Sequence, residues 1–259
     1  MTGINRLKFI NSLKQKKYRK QHQLFILEGE KLVDELLESR FEIHSVYASG
    51  EWISNHNSQH KPGYFPVYEI KESDLARVSS FKTPNKVLAL ARIPLFKLDY
   101  CNLKNKLTLV LDKVQDPGNL GTLIRSADWF GVDTVILSKD SAEITSPKVV
   151  QSTMGSIFRI SFHYLDLPGL LKSPEIKDLP VFGAFINGSN IYSAVLQERG
   201  LVVLGNESRG ISPGLEKLIT KKISVPSFGH DAGSAESLNI AVAGSIILSE
   251  FRRRNNQAK

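Results

Sequence analysis

Three polar clusters follow apolar stretches of the sequence, and their residue types could bind and activate a ligand. They are DPGNLGTLIRSADWFG (116–131), LGNESRGIS (204–212), and SVPSFG (224–229) with SLN at 237–239. A guanidinium can bind phosphate or stabilise a developing oxyanion, and neighbouring polar side chains can hold it in place. Because ligands of open α/β sheets bind beyond the carboxyl ends of the strands, the clusters predict a site at one edge of a sheet.

The first cluster predicts a turn followed by an amphipathic helix. Pro117-Gly118 favours the turn, and Asn119 is predicted as the helix N-cap. The apolar side chains of the helix form one stripe, made of Leu120, Leu123, Ile124, Ala127 and Phe130. At about 100° per residue Arg125 lies opposite this stripe, as any solvated cation would. Trp129 follows on the same face, and an exposed tryptophan favours a subunit or ligand surface.

The other two clusters each have a structural and a functional interpretation. Gly and Asn are ordinary turn residues, but the Glu-Ser-Arg sequence at 207–209, between two glycines, favours function. Ser237 and Asn239 could simply cap the apolar helix that follows them. The small residues of that helix, Ala241, Ala243 and Gly244, indicate close packing in the core or against another subunit.

Apolar strands alternate with helical patterns in the C-terminal part of the chain. Strands are predicted at 107–111, 134–137, 180–185, 201–204 and 223–225. Such alternation predicts an α/β fold with a mostly parallel sheet. A small α/β unit precedes it, with strands at 24–27 and within 42–49 and 86–93, a helical stripe made of Leu32, Val33, Leu36 and Leu37, and a short helix within 71–81. We therefore predict a domain at 1–95, a linker at 96–106 and a second domain at 107–259.

Composition and charge limit the classes of function. The chain has 259 residues, a formal charge of +8 and a pI near 9.4, which favour a polyanionic partner. A single cysteine, Cys101, and six scattered histidines predict neither an internal disulfide nor a metal site. With no long apolar run and no signal-like start, we expect a cytosolic protein without a membrane span.

The N-terminal segment is strongly basic. Residues 1–20 contain seven Lys or Arg and no acid, with Phe9 and Tyr18 among them. This pattern fits an arm that follows RNA phosphates and fits equally well a solvated basic helix end.

Taken in order, the three clusters resemble the signature motifs of the SpoU family of RNA ribose 2′-O-methyltransferases, within the SPOUT superfamily. SPKVVQSTMGSIFRI (146–160) is similar to the helix that connects the first two motifs in that family. The resemblance covers roughly 105–255. FILEGEKLVDELL (25–37) more loosely resembles the small RNA-binding domain that many members carry.

The resemblance implies a parallel sheet whose C-terminal segment forms a trefoil knot, and a homodimer with its site near the subunit boundary. It implies S-adenosylmethionine as cofactor and RNA as substrate, with ribosomal RNA favoured over transfer RNA. Motif matching assigns the cofactor pocket to Gly205, Val225, Leu238 and Ala184.

The same resemblance implies which residues carry the chemistry. The arginine that matches Arg125 is credited in the family with activating the ribose hydroxyl. Since the pKa of free arginine lies far above neutral pH, we favour a clamp on phosphate and alkoxide over a general base. The residues expected to hold the arginine and the ribose in register are Asn119, Glu207, Ser237 and Asn239, and Arg209 is a further candidate for phosphate.

Two positions of the sequence differ from the family pattern. Ser208-Arg209 and Gln151 differ from the residues that many relatives have at these positions, which affects the predicted RNA contacts.

Two alternative functions are considered. A dinucleotide-dependent enzyme fits the fold class, but neither G-x-G-x-x-G nor a phosphate-binding P-loop motif occurs. A non-catalytic RNA-binding or ribosome-assembly protein fits the basic arm equally well.

Overall fold

The computed structural model describes residues 3–56, 65–81, 83, 85–229 and 236–256. From the amino terminus to residue 105 the elements are α1 (Gly3–Ser12), α2 (Lys16–His22), β1 (Leu24–Glu28), α3 (Glu30–Glu38), β2 (Ile43–Ala48), α4 (Gly50–His56), β3 (Val67–Glu69), α5 (Glu72–Val78), β4 (Val87–Arg92) and α6 (Tyr100–Asn105). They continue with β5 (Leu107–Leu111), α7 (Pro117–Trp129), β6 (Thr134–Ser138), α8 (Pro147–Thr153), β7 (Ser161–Leu165), α9 (Leu167–Leu171), β8 (Val181–Asn190), β9 (Gly200–Leu204), α10 (Pro213–Glu216), β10 (Lys221–Ser224) and α11 (Ile240–Asn256).

The chain divides into two compact units. The first comprises 1–95 together with 143–158, and the second comprises 96–142 and 159–259. The predicted second domain, 107–259, includes residues 143–158, whereas the structure packs this segment in the first unit. The reason is its apolar face, because Val149 and Val150 are buried and α8 contacts β1.

The first unit is built on a four-stranded mixed sheet in the order β1-β4-β2-β3. β4 pairs antiparallel with β1 and β2, and β3 pairs parallel with β2. Its core includes Ile10 from α1 and Leu13 just after that helix, which pack with β-strand residues such as Ile26 and Leu90. The strands predicted at 24–27, 42–49 and 86–93 are confirmed, and so are the helix that carries Leu32, Val33, Leu36 and Leu37 and the helix within 71–81.

The basic N-terminal segment folds as α1 and α2, and one of its cations is buried. Arg19 is 3% exposed and pairs with Glu143 at 2.8 Å, both within the first unit. It also donates hydrogen bonds of 2.9 and 2.7 Å to the carbonyls of Leu13 and Lys14. Arg19 therefore joins the α1–α2 turn to the 143–158 segment instead of facing solvent.

The second unit contains a six-stranded sheet in the order β10-β8-β9-β5-β6-β7, and all five pairings are parallel. The predicted mostly parallel α/β sheet is confirmed. β7, at the edge, was not predicted, because its sequence SFHYL alternates weakly and three of its residues are half-buried. The segment predicted as a linker includes α6, which is capped by Asp99 and buries Leu103. No helix of the described part is both long and apolar enough to cross a bilayer.

Candidate active site

The first cluster begins α7, and Asp116 rather than Asn119 is its N-cap. The predicted cap is wrong by three residues, since the Asp116 carboxylate accepts a 2.7 Å hydrogen bond from the Asn119 backbone N–H. Both residue types cap helices well, and the proline at the first helical position favours the residue before it. With its backbone already bonded, the Asn119 side chain is left to make contacts outside its own helix.

The second cluster forms a tight loop after β9. Asn206 and Gly210 exchange backbone hydrogen bonds of 2.9 Å, and the Asn206 side chain accepts 3.1 Å bonds from the N–H groups of Ser208 and Arg209. Gly205 is required by close packing, because a Cβ there would lie 2.1 Å from the Gly210 carbonyl carbon. This local bonding fixes the loop and leaves Glu207 exposed at its tip.

Glu207, Asn119 and Asn239 form one hydrogen-bonded chain across the three clusters. Asn119 Nδ2 donates to Glu207 Oε1 at 3.3 Å, and Asn239 Nδ2 donates to Asn119 Oδ1 at 2.9 Å. Glu207 Oε1 also accepts from the Asp116 backbone N–H at 3.2 Å. The structure therefore brings together three of the five residues predicted as catalytic.

Asn239 caps α11, one of the interpretations that the sequence left open, and it also contacts the first cluster. Its Oδ1 accepts the backbone N–H groups of Ala241 at 2.8 Å and Val242 at 3.3 Å, which caps α11. Its Nδ2 is the group that reaches Asn119. The cap fixes the side chain so that the amide has a defined direction.

Arg125 and Ser237 are exposed and stand apart from this chain of contacts. Arg125 lies opposite the buried stripe of α7 as predicted, and it makes no ion pair with any residue that the structure describes. Ser237 precedes α11, and part of the small-residue loop before it, at 230–235, lies outside the described residues. Trp129, on the predicted outer face of α7, is 83% exposed.

Two of the four residues matched to a cofactor pocket lie directly after the carboxyl ends of strands. Gly205 follows β9 and Val225 follows β10, while Ala184 lies within β8 and Leu238 comes just before α11. The order β10-β8-β9 makes these strand ends neighbours. The Ser224 hydroxyl donates a 2.8 Å hydrogen bond to the Ile186 carbonyl, which joins β10 to β8 beside Val225.

Large apolar side chains remain exposed around these positions. Ile186 is 73% exposed, Phe228 76% and Leu238 49%. Exposed apolar groups beside backbone amides and carbonyls suit a ligand with a flat, partly apolar ring and polar edges. The residues present therefore fit the adenosyl group of S-adenosylmethionine.

Sequence reasoning missed two residues that hold the site together. Asp112 is 2% exposed and its carboxylate accepts a 2.7 Å hydrogen bond from the Ser212 N–H, which fixes the end of the second cluster. Asn206 Nδ2 donates to the Lys113 carbonyl at 2.8 Å and to Glu207 Oε2 at 3.1 Å. An acid directly after the apolar strand LTLVL was the available signal for Asp112.

Further along α11, charge is concentrated in one cluster. Hydrogen bonds from Arg253 and Arg254 lower the pKa of the Glu250 carboxyl to about 2. Arg254 also donates to the Ala194 carbonyl at 2.6 Å, which ties the helix to the segment after β8. Among the described residues no group of His, Cys, Asp or Glu has the arrangement of a metal site.

Comparisons with known proteins agree with the sequence motifs. The model of the SpoU rRNA Methylase family matches residues 106–249, and that of the MRM3-like substrate binding domain matches residues 5–89. The 23S rRNA (guanosine(2553)-2'-O)-methyltransferase RlmP of Bacillus subtilis (strain 168) is 31% identical over 241 residues, which cover 93% of each chain.

Two solved structures extend the similarity to the whole fold. A protein assigned to the TrmH family of RNA methyltransferases, from Porphyromonas gingivalis, has 38% identity and a TM-score of 0.88, covering 98% of this chain and 99% of its own. The AdoMet-bound rRNA methyltransferase from Sinorhizobium meliloti has 26% identity and a TM-score of 0.79, covering 96% and 94%. The chain therefore belongs to the SpoU rRNA methylase family, with an MRM3-like substrate-binding domain preceding its methylase domain.

Proposed function

We propose that this protein uses S-adenosylmethionine to methylate a ribose 2′-hydroxyl of ribosomal RNA. Membership of the SpoU rRNA methylase family supports methyl transfer as the reaction. The B. subtilis relative is named as a 2'-O-methyltransferase of 23S rRNA. The S. meliloti structure, which is similar over nearly the whole chain, contains AdoMet. These similarities favour ribosomal RNA over transfer RNA as the substrate.

The observation that carries the proposal is the Glu207–Asn119–Asn239 chain of hydrogen bonds. It joins residues 88 and 120 positions apart in the sequence, and its bonds are exposed to solvent. Each such bond contributes only about 0.5–1.5 kcal/mol net, and less where water can replace the partner. These hydrogen bonds therefore add little to the stability of the fold, whereas a site that must orient a ribose needs them.

The cofactor would be held by Gly205, Val225, Leu238 and Ala184, with Ile186 and Phe228 near its ring. S-adenosylmethionine supplies a methyl carbon made electrophilic by its sulfonium. The position fits the rule that ligands of parallel α/β sheets bind beyond the carboxyl ends of strands.

Arg125 is assigned to the ribose oxygen and its neighbouring phosphate. A ribose hydroxyl is a weak nucleophile, so it must be aligned with the methyl carbon and must lose its proton as the C–O bond forms. The guanidinium stabilises the developing alkoxide, while an RNA phosphate or water takes the proton. Asn119, Glu207 and Asn239, with Ser237, hold the ribose in register.

A homodimer is the proposed assembly, with α7 and α11 at the interface. Trp129 is 83% exposed and Val242 48% exposed, and both would be covered by a second copy. Trp129 also lines an open groove with Phe130, Gly131, Ser249, Arg252 and Arg253. An amphipathic groove of this kind suits a protein partner better than solvent.

The trefoil knot is part of the same proposal. The pairing of β10 with β8 shifts register between Lys222 and Ile223, which pair with Gly183 and Ser189 respectively. At this crossing a Cβ on Gly188 would lie 2.4 Å from the Ile223 carbonyl carbon. Such a close approach of two backbone segments is expected where one segment threads past another.

The alternative function is a non-catalytic RNA-binding or ribosome-assembly protein. It would use the basic α1 and α2 equally well, but it would have no use for an oriented Asn119–Glu207 pair. Either function fits a cytosolic location, which we propose because ribosomes are assembled there.

The test combines cofactor binding with mapping of the product. We expect calorimetry to detect S-adenosylmethionine binding, and mass spectrometry of ribosomal RNA from a deletion strain to show one missing 2′-O-methyl group. The purified protein should restore that group in vitro. Absence of heat at about 1 mM cofactor, which marks affinity weaker than about −4 kcal/mol, together with unchanged ribosomal RNA would favour the assembly protein.

A further inference from the structure

Lys113 has a backbone conformation that a lysine rarely adopts. Its φ is +58°, in the left-handed region, and it lies two residues after the end of β5. β5 is a central strand, between β9 and β6, so Lys113 is at the middle of the carboxyl edge of the sheet. Glycine would adopt this φ without strain, so a lysine here indicates a use for the side chain.

Hydrogen bonds on both sides hold this conformation in place. The Lys113 N–H donates to the Ser138 hydroxyl at 2.8 Å, and its carbonyl accepts from Asn206 Nδ2 at 2.8 Å. The residues before and after it, Asp112 and Val114, are both buried. The exposed Lys113 side chain is therefore projected from a rigid base.

Lys113 is also connected to the proposed active site. The Asn206 amide that bonds its carbonyl also donates to Glu207 Oε2 at 3.1 Å, and Glu207 accepts from Asn119 at 3.3 Å. The Lys113 ammonium forms no ion pair within the described ranges. An exposed cation whose backbone is bonded to the Asn206–Glu207 loop, and which has no carboxylate partner there, is available to an anion on the substrate.

We propose that the Lys113 ammonium binds a backbone phosphate of the RNA beside the target ribose. The assignment rests on the proposed function. RNA is favoured over the cofactor carboxylate, because the residues that fit the cofactor lie at β8, β9, β10 and α11, whereas Lys113 follows β5 on the far side of β9 from β8 and β10. A lysine acts as a point charge towards phosphate, so it contributes affinity without reading the base.

The test compares Lys113→Gly with Lys113→Arg in the full-length protein. Lys113→Gly removes the charge and keeps the backbone conformation, so the melting temperature should be unchanged or higher. We expect KM for ribosomal RNA to rise about fivefold and the slope of log Kd against log salt to become shallower by about 0.7–0.9, as for one lost phosphate contact. Lys113→Arg should retain most of the affinity, and the Kd for S-adenosylmethionine should not change in either variant.

The control is Lys177→Ala, an exposed lysine that precedes β8 and so lies at the opposite, amino edge of the sheet. Its RNA affinity and salt slope should match those of the wild type. The proposal is overturned if Lys113→Gly keeps the wild-type salt slope, or if it weakens cofactor binding and leaves RNA binding unchanged. In both cases the proposed function would still hold if the wild-type protein transfers methyl groups. A wild-type protein that binds RNA but transfers no methyl group would contradict the proposed function and not the Lys113 contact.

Discussion

The side-chain amide of Asn239 donates a 2.9 Å hydrogen bond to Oδ1 of Asn119, although 120 residues separate the two. The same Asn239 caps α11 through its oxygen, so one side chain both starts a helix and reaches the first cluster. The helix cap and the contact with Asn119 thus use different atoms of one residue, which allows them to be tested separately.

Asn239→Asp should separate the two roles. Aspartate keeps the capping oxygen and suits a helix N-terminus, so the free energy of unfolding should change by less than about 1 kcal/mol. It cannot donate to Asn119, so we expect kcat for methyl transfer to fall at least about tenfold, as for loss of an orienting contact. Steady-state kinetics and urea unfolding measure the two effects. Full activity in a stable Asn239→Asp protein would contradict the role of the chain.

Arg125→Ala should abolish methyl transfer without unfolding the protein. The side chain is exposed and has no ion pair among the described residues, so stability should change by no more than about 0.5 kcal/mol. Cofactor affinity should be largely retained, because Arg125 is assigned to RNA. Arg125→Lys keeps the charge but loses the planar fork, so we expect only weak activity. Loss of cofactor binding together with activity would instead indicate a structural role.

Two glycines of one loop should respond differently to alanine. A Cβ on Gly205 would lie 2.1 Å from the Gly210 backbone, so Gly205→Ala must displace the loop, at about 3 kcal/mol or more. Gly210→Ala meets nothing within 4 Å and should cost only about 1 kcal/mol for its φ of +66°. Thermal unfolding with cofactor titration would compare them. Equal stability of the two variants would rule out the close approach.

Removing Glu143 should destabilise the first unit. Arg19 is 3% exposed, and without its partner a buried guanidinium would be left uncompensated, which costs about 3–5 kcal/mol. Glu143→Ala should therefore lower the stability of the chain far more than replacement of an exposed acid such as Glu38. The paired replacement of Arg19→Met with Glu143→Leu should recover much of the loss. A change below about 1 kcal/mol in Glu143→Ala would show that the pair is not needed.

The sequence predicts the strands of both sheets except two. β3 is only three residues long, and β7 lies at a sheet edge. Long apolar runs mark buried strands, whereas SFHYL is half-buried and carries His163 and Tyr164. The N-cap of α7 was misplaced because Asp116 and Asn119 both have capping chemistry. Local capping preference does not distinguish these two residues. Because Asp116 is the cap, the Asn119 side chain is available for contacts with residues far away in the sequence.

The sequence by itself determined the parallel α/β fold, the three polar clusters and the resemblance to a methyltransferase family, since these depend on periodicity and on residue types at fixed spacing. Only the tertiary structure decided that Asn239, Asn119 and Glu207 bond to one another, that Arg19 is buried against Glu143, and that 143–158 packs with the first unit. Contacts between distant residues depend on how strands and helices pack, and a single sequence records the packing surfaces without recording their partners.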